Sequence, residues 1–333
     1  MEVCCCFSVG AAALYVLTLL WRFRRGRHAG CRRGALVGAL GASLCFTVSP
    51  VLCGGVLLTC SLHLICVSRR NELLPAKSRA VLITGCDSGF GHALAEQLSE
   101  MGVQVFAGML DVNGGGAQRL RERGSENLQV LQLDVTDSTQ VETVHRYICT
   151  QVGHTGLWGL VNNAGILHCP ADAELQPMVA CRRCMEVNFL SAVNMCQVFL
   201  PLLRCSRGRI VNVSSMADIF GTDDDARRYR DEILAALSSE AREDYGEVYV
   251  SSLPSSLSRM SQQCAEDLSP VVDEMCHALL SVRPRPLYTP GQMGWLLPFL
   301  HRHCPTAVFD LIATTFLKHT ECEPAGLRGG GHS

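Results

Sequence analysis

Hydrophobic positions fall into two regimes along the chain. Val3–Leu20 and Gly34–Ser68 contain no Asp, Glu, Lys or Arg. From residue 80 onward the apolar runs shorten, and they alternate with amphipathic stretches of helical period. Short apolar runs bounded by turn residues read as strands buried on both faces, and the alternation reads as successive βαβ units. The pattern predicts strands at 80–84, 103–109, 128–134, 156–162 and 209–213, with helices at 91–101 and near 181–203. That order implies an α/β fold built on a doubly wound parallel sheet.

The N-terminal regime has the length of a membrane region. The 18 residues of Val3–Leu20 match one span, and the 35 residues of Gly34–Ser68 exceed one, with Ser49-Pro50 placed to turn between two. Arg22, Arg24, Arg25, Arg27, Arg32 and Arg33 lie between the tracts, and Arg69-Arg70 close the second. Arginines stay cytosolic, so three spans put residues 71 onward in the cytosol. One long tilted span over 34–68 would put them on the opposite side. A cleaved signal peptide fits poorly, because its positive charges should precede the apolar run.

Composition removes other readings. A formal charge of −2 gives no broad basic surface for nucleic acid. Nineteen cysteines are scattered through apolar runs, as buried thiols in a reducing compartment would be, and form no disulfide framework. Cys181 and Cys184 make an isolated C-x-x-C, read as two positions on a helix. His301, His303 and Cys304 are read as part of an amphipathic segment rather than a metal site.

The chemistry-bearing residues sit at the carboxyl ends of the expected strands. Thr84-Gly85-x-x-x-Gly89-x-Gly91, with Ser88 and Phe90 inside it, joins the first strand to a helix. Such a turn binds a pyrophosphate, because free N–H groups and the positive helix end face the anion and glycine permits close approach. Asp111, just past the second strand, is placed to accept bonds from adenosine ribose hydroxyls. With no Arg or Lys beside it, it would repel a 2′-phosphate, which favours NAD over NADP. Asp134-Val135 ends the third strand near the adenine. Asn162-Asn163-Ala164-Gly165 ends the fourth at the ligand crevice.

Together with Asn188 in Met-Glu-Val-Asn-Phe and Ser215 in Arg-Ile-Val-Asn-Val-Ser-Ser, these motifs resemble the short-chain dehydrogenase/reductase family. The wording stands nearest to members that oxidise 11β-hydroxy glucocorticoids to 11-keto steroids from the endoplasmic reticulum membrane. The resemblance implies a Rossmann-like fold, NAD as cofactor at Thr84, Gly85, Ser88, Gly89, Phe90, Gly91, Asp111, Asp134, Val135, Asn162, Ala164 and Gly165, a steroid substrate and a homo-oligomer. It implies three regions: a membrane anchor at 1–70, a dinucleotide-binding core at 71–220 and a substrate region at 221–333. It gives Ser215 the substrate oxygen and Asn188 a proton-relay water.

The same resemblance exposes a gap. The family's acid/base is a tyrosine with a lysine four residues later, expected thirteen residues after Ser215, where Arg228 stands. The chain has two lysines, Lys77 and Lys318, and no Tyr-x-x-x-Lys; Tyr229 has Ile233 at the lysine position. Between Phe220 and Gly221 the tyrosine-bearing helix, the sixth strand and its cofactor loop are missing. The sheet is therefore expected to be incomplete after strand five, with the usual dimer face weakened. Three functions stay open: an impaired 11β-hydroxysteroid dehydrogenase, a non-catalytic nucleotide- or partner-binding membrane protein, and a retinol or 17β-hydroxysteroid branch.

Overall fold

The computed structural model describes residues 15–17, 55–62, 72–123, 126–167, 171–214, 223–253, 267–290 and 296–317. Two compact units divide the chain. One comprises Met1–Leu74 with Leu280–Pro286; its described parts are helical at 15–17 and 55–62 and pair Leu73 with Ser281. Most of the expected membrane region lies outside the described residues.

The other unit, Pro75–Leu279 with Leu287–Ser333, holds the sheet. Its strands are β1 (Ala80–Ile83), β2 (Gln104–Met109), β3 (Leu128–Gln132), β4 (Gly159–Asn162) and β5 (Arg209–Asn212). All pairs are parallel, in the order β3-β2-β1-β4-β5. Every residue of β1 and β4 is buried, as continuous apolar runs between two helical layers require. Each strand is one to three residues shorter than its apolar run: β1, β3 and β5 stop short at their carboxyl ends, where the chain turns away, and β2 and β4 start late at their amino ends.

Helices α1 (Gly89–Glu100), α2 (Gly115–Arg123) and α3 (Ser138–Val152) follow β1, β2 and β3. Asp137 caps α3, its Oδ1 accepting from Thr139 N at 2.8 Å and Gln140 N at 3.3 Å. Bonds from Gln140 and Thr139 hold that carboxyl below the usual carboxylate range. Val141, Val144, Ile148 and Val152 form the stripe α3 buries, against Leu160, Met195 and Phe199. Helices α4 (Met178–Met185) and α5 (Ser191–Ser206) join through a π-turn at Glu186–Leu190 into one helical stretch. That stretch is apolar and long enough to cross a membrane; Met195, Phe199 and Leu203 seat one face of it on the sheet's core, while Met185, Phe189 and Val193 lie exposed.

After β5, helices α6 (Asp223–Ala236) and α7 (Ser239–Tyr245), with a helix at 247–253, form a second cluster. Ile233, Tyr249, Val250 and Leu253 pack there on Leu175, from the segment after β4. Helix α8 (Ser269–Leu280) lies on the sheet at Gly159, where a Cβ would come within 2.7 Å of Leu279 Cδ2. Helices α9 (Leu296–His303) and α10 (Thr306–Leu317) follow. Among the described residues β5 is an edge, paired only with β4, and Ile210 on it is 40% exposed.

Candidate functional site: a clasped glycine turn at the strand-order switch

Strand order reverses between β1 and β4, so the turns after these strands flank a crevice. The two turns are clasped together. Thr84, fully buried, accepts at Oγ1 from the backbone N of Asn163 (3.0 Å) and of Ala164 (2.9 Å). Asn163 Nδ2 returns two bonds, to Thr84 O (2.9 Å) and Gly85 O (3.0 Å). The site assignment drawn from the sequence contained Asn162 and passed over Asn163. Asn162 instead points across the sheet, its Nδ2 donating to Asn212 Oδ1 on β5 at 2.8 Å. Its Oδ1 is buried with no partner among the described residues.

The glycines of the turn have distinct reasons. Gly85 has φ +70°, and a Cβ there would lie 2.9 Å from Ala164 Cα. Gly91, buried in the first turn of α1, has no room: a Cβ would meet Gly85 O at 2.4 Å and Asn163 Nδ2 at 2.5 Å. Gly89 has φ +62° and open space where a Cβ would point. Ser88 at the start of α1 is exposed and makes no capping bond, and the first turn carries no acid. An uncapped helix N-terminus beside open space, with glycine at the approach, is a cradle that fits a pyrophosphate. Phe90 is half-buried beside it.

Asp87, which the sequence reading did not select, ties this turn to β2. Its carboxylate accepts from Leu110 N (3.1 Å) and Asp111 N (3.0 Å). Asp111 is exposed past the end of β2, with Oδ1 accepting from Asn113 N at 2.9 Å. Asp134 turns inward on its own loop, accepting from Thr136 N and Oγ1, and Val135 is buried. Asn188 sits in the π-turn and grips Ile166 by both backbone groups: Oδ1 accepts from Ile166 N and Nδ2 donates to Ile166 O, each at 2.8 Å. Such π-turns recur at functional sites, where they re-aim one side chain. Gly165 lies beside Asn188, with 3.5 Å between its would-be Cβ and Oδ1.

Ser215 and the Phe220–Gly221 junction lie outside the described residues, as does Lys318. Tyr229 has its backbone in α6, where Arg228 faces Glu232 at 3.9 Å. Two other tyrosines are placed by carboxylates. Tyr249 Oη donates to Asp172 Oδ2 at 2.7 Å and Tyr245 Oη to Glu174 Oε2 at 3.3 Å. Burial, then the bond and charge of Asp172, push the Tyr249 hydroxyl well above the usual phenol range. Both hydroxyls are thereby engaged as donors to carboxylates.

Residues 79–223 match the short chain dehydrogenase family model, a stretch that starts at β1 and ends just past the Phe220–Gly221 junction. Mouse estradiol 17-beta-dehydrogenase 2 is 36% identical, over 91% of this chain and 92% of its own length. The chain belongs to the short-chain dehydrogenase family. Sheep 11-beta-hydroxysteroid dehydrogenase type 2 is 39% identical, over 71% of this chain and 66% of its own length. The hydroxysteroid dehydrogenases are thus close kin of this family member. The mouse alignment runs over 352 positions yet uses 91% of 333 residues, about 303, which leaves about 49 positions without a counterpart here. The same arithmetic on the sheep alignment, 282 positions against about 236 residues, leaves about 46. Among solved structures, the putative carbonyl reductase Sniffer of Caenorhabditis elegans matches at 26% identity and TM-score 0.39. That match covers 43% of this chain and 64% of that one, so the chain spans less than two thirds of it.

Proposed function

We propose that this chain is a membrane-anchored hydroxysteroid dehydrogenase relative that binds NAD and does not turn over steroid. The observation that carries the reading is the intact clasp of Thr84, Gly85, Gly91 and Asn163 beside an open, uncapped α1 N-terminus. In one chain it accompanies the absence of any Tyr-x-x-x-Lys. In the proposed complex Ser88, Gly89, Phe90 and the N-terminus of α1 hold the pyrophosphate. Asp111 takes the ribose hydroxyls, Asp134 and Val135 border the adenine, and Ala164 and Gly165 line the crevice, with Asn162 behind them turned toward Asn212. NAD, when bound, supplies a hydride acceptor. Asn188 fixes the 164–166 backbone beside it, and Ser215 is assigned the substrate oxygen.

What fails is proton transfer. A positioned general base contributes about 10²–10⁴-fold, and a lysine beside it lowers its pKa. Neither group exists at the family positions. The 46–49 unmatched positions and the bare edge of β5 support a segment missing after Phe220. Exposed Met185 on α4, Phe189 in the π-turn and Val193 on α5 support an uncovered helix face beside the missing segment. The region division at 70 and 220, the three spans, and the cytosolic face of the endoplasmic reticulum remain part of this proposal. They rest on the arginine clusters at 22–33 and 69–70.

Similar identity to 11β- and 17β-specific relatives leaves the steroid position as an assay variable. Incubating the chain with NAD and either an 11β- or a 17β-hydroxysteroid, with a control carrying the family segment inserted between Phe220 and Gly221, tests the reading. Turnover by the insert alone supports it, and turnover by the chain as it stands overturns it.

A further inference from the structure

The end of the sheet opposite the crevice, where strands begin, gathers cations. Lys77 and Arg79 precede β1, Arg204 and Arg207 close α5, and Arg209 opens β5. Arg79 lies over the Trp158 ring at 3.7 Å and Arg209 at 5.2 Å from the same ring. Arg209 Nη1 donates to Ala278 O and Leu279 O, both at 2.9 Å, and Trp158 Nε1 donates to Leu279 O. Burial and mutual repulsion lower the pKa of Arg209, and burial lowers that of Arg79. These two are pinned in place. Lys77, Arg204 and Arg207 are exposed, and no acidic side chain pairs with them among the described residues.

Acids at this end include Glu100, which closes α1 two residues before Gly102 beside Lys77, and a group near β3. Glu122 and Glu126 accompany Arg121 and Arg123 near β3, and Glu96 receives Arg123 at 3.6 Å. The crevice end is the reverse, with Asp87, Asp111, Asp134 and Asp137 at the turns. A shallow hollow of about 540 Å³ opens among the cations, lined by Leu200, Leu203, Arg204, Arg207, Gly208 and Ile210. Leu200 and Ile210 expose two fifths of their surface there. Exposed aliphatic side chains rimmed by unpaired arginines match the boundary of an anionic bilayer, where headgroups meet acyl chains.

We infer that the Lys77–Arg204–Arg207 face with its Leu200–Ile210 hollow is a docking surface for anionic lipid headgroups. Here the inference rests on the membrane reading of residues 1–70, so the test must keep the two apart.

The full chain is reconstituted into nanodiscs of phosphatidylcholine alone or mixed with phosphatidylserine, and amide exchange is read by mass spectrometry. Flotation with liposomes of both compositions reports anchoring separately. The expected result is slower exchange across 200–211 in the anionic discs, reversed by salt, with the 85–91 and 111–116 turns unchanged. Each exposed cation near an anionic leaflet contributes roughly a fivefold shift in occupancy, so Lys77→Glu with Arg204→Glu should abolish the difference. Arg204→Lys should retain it, which guards against a folding artefact in the double variant. Flotation in both lipids without phosphatidylserine-dependent protection overturns the inference and leaves anchoring standing. Protection by a soluble polyanion such as heparin, but not by the anionic discs, overturns it in favour of a polymer ligand. No flotation in either lipid defeats the membrane reading itself.

Discussion

Gly91→Ala should damage this protein more than its size suggests, and through contact rather than backbone strain. The added methyl would lie 2.4 Å from Gly85 O and 2.5 Å from Asn163 Nδ2. The carbonyl is backbone in a turn already held by two bonds from Asn163, so it cannot swing aside cheaply. Overpacking of this kind costs about 1–3 kcal/mol. Alanine in a helix returns at most about 1 kcal/mol over glycine, so the net loss is up to about 2 kcal/mol even at full return. Gly89→Ala is the contrasting case. Open space receives its methyl, and the cost is the positive φ alone, about 1–2 kcal/mol. Urea denaturation of the detergent-solubilised chain, followed by tryptophan fluorescence, measures both. NAD titration of the two variants should show at least tenfold weaker binding for Gly91→Ala, because displacing Gly85 distorts the cradle. Adding Asn163→Ala to Gly91→Ala removes one of the two clashes and should not restore binding, since Gly85 O stays in the way. Stability within about 0.5 kcal/mol of the parent, with unchanged NAD affinity, would refute the close-approach reasoning.

Asn163→Ala alone should cost about 1–3 kcal/mol in the same denaturation assay, since two half-buried carbonyls lose their donor; Asn162→Ala should leave NAD affinity closer to the parent value. Calorimetry should show tighter binding of NAD than of NADP, and Asp111→Ala with Val112→Arg should shrink that preference; equal or tighter NADP binding by the parent chain contradicts the assignment of Asp111. Unfolded Tyr249 ionises near pH 10 and the folded residue only above that, so stability should fall as pH rises beyond about 10. Tyr249→Phe should flatten that part of the alkaline profile, and an unchanged slope counts against the Asp172 bond. Protease treatment of sealed microsomes should digest the chain beyond residue 71, and full protection there would reverse the proposed orientation.

Strands were legible where burial on both faces leaves a continuous apolar run, as in Ala80–Ile83 and Gly159–Asn162. Their ends were less so, because pairing stops by geometry rather than composition: the run at 128–134 pairs only through Gln132. The glycine turn was legible because glycine spacing records backbone approach. Asn163 was passed over because adjacent asparagines look alike in sequence, and only alternation along β4 decides which reaches the turn. Asp87 was missed for a similar reason, since a carboxylate inside a glycine turn reads as a solvated loop residue until β2 arrives beside it. The π-turn at 186–190 had no periodic signature, and the basic end of the sheet joins residues more than a hundred positions apart.

The central claim is that nucleotide binding and catalysis have come apart in this chain. One preparation tests it most directly: full-length protein in nanodiscs, titrated with NADH by protein-to-nicotinamide energy transfer, then supplied with NAD and 11β- and 17β-hydroxysteroids under steroid product analysis. The account predicts saturable NADH binding, lost in Gly91→Ala, and no keto-steroid formed by the parent chain. Keto-steroid production by the parent would contradict it, and abolition of that activity by Tyr229→Phe would move the missing base to α6.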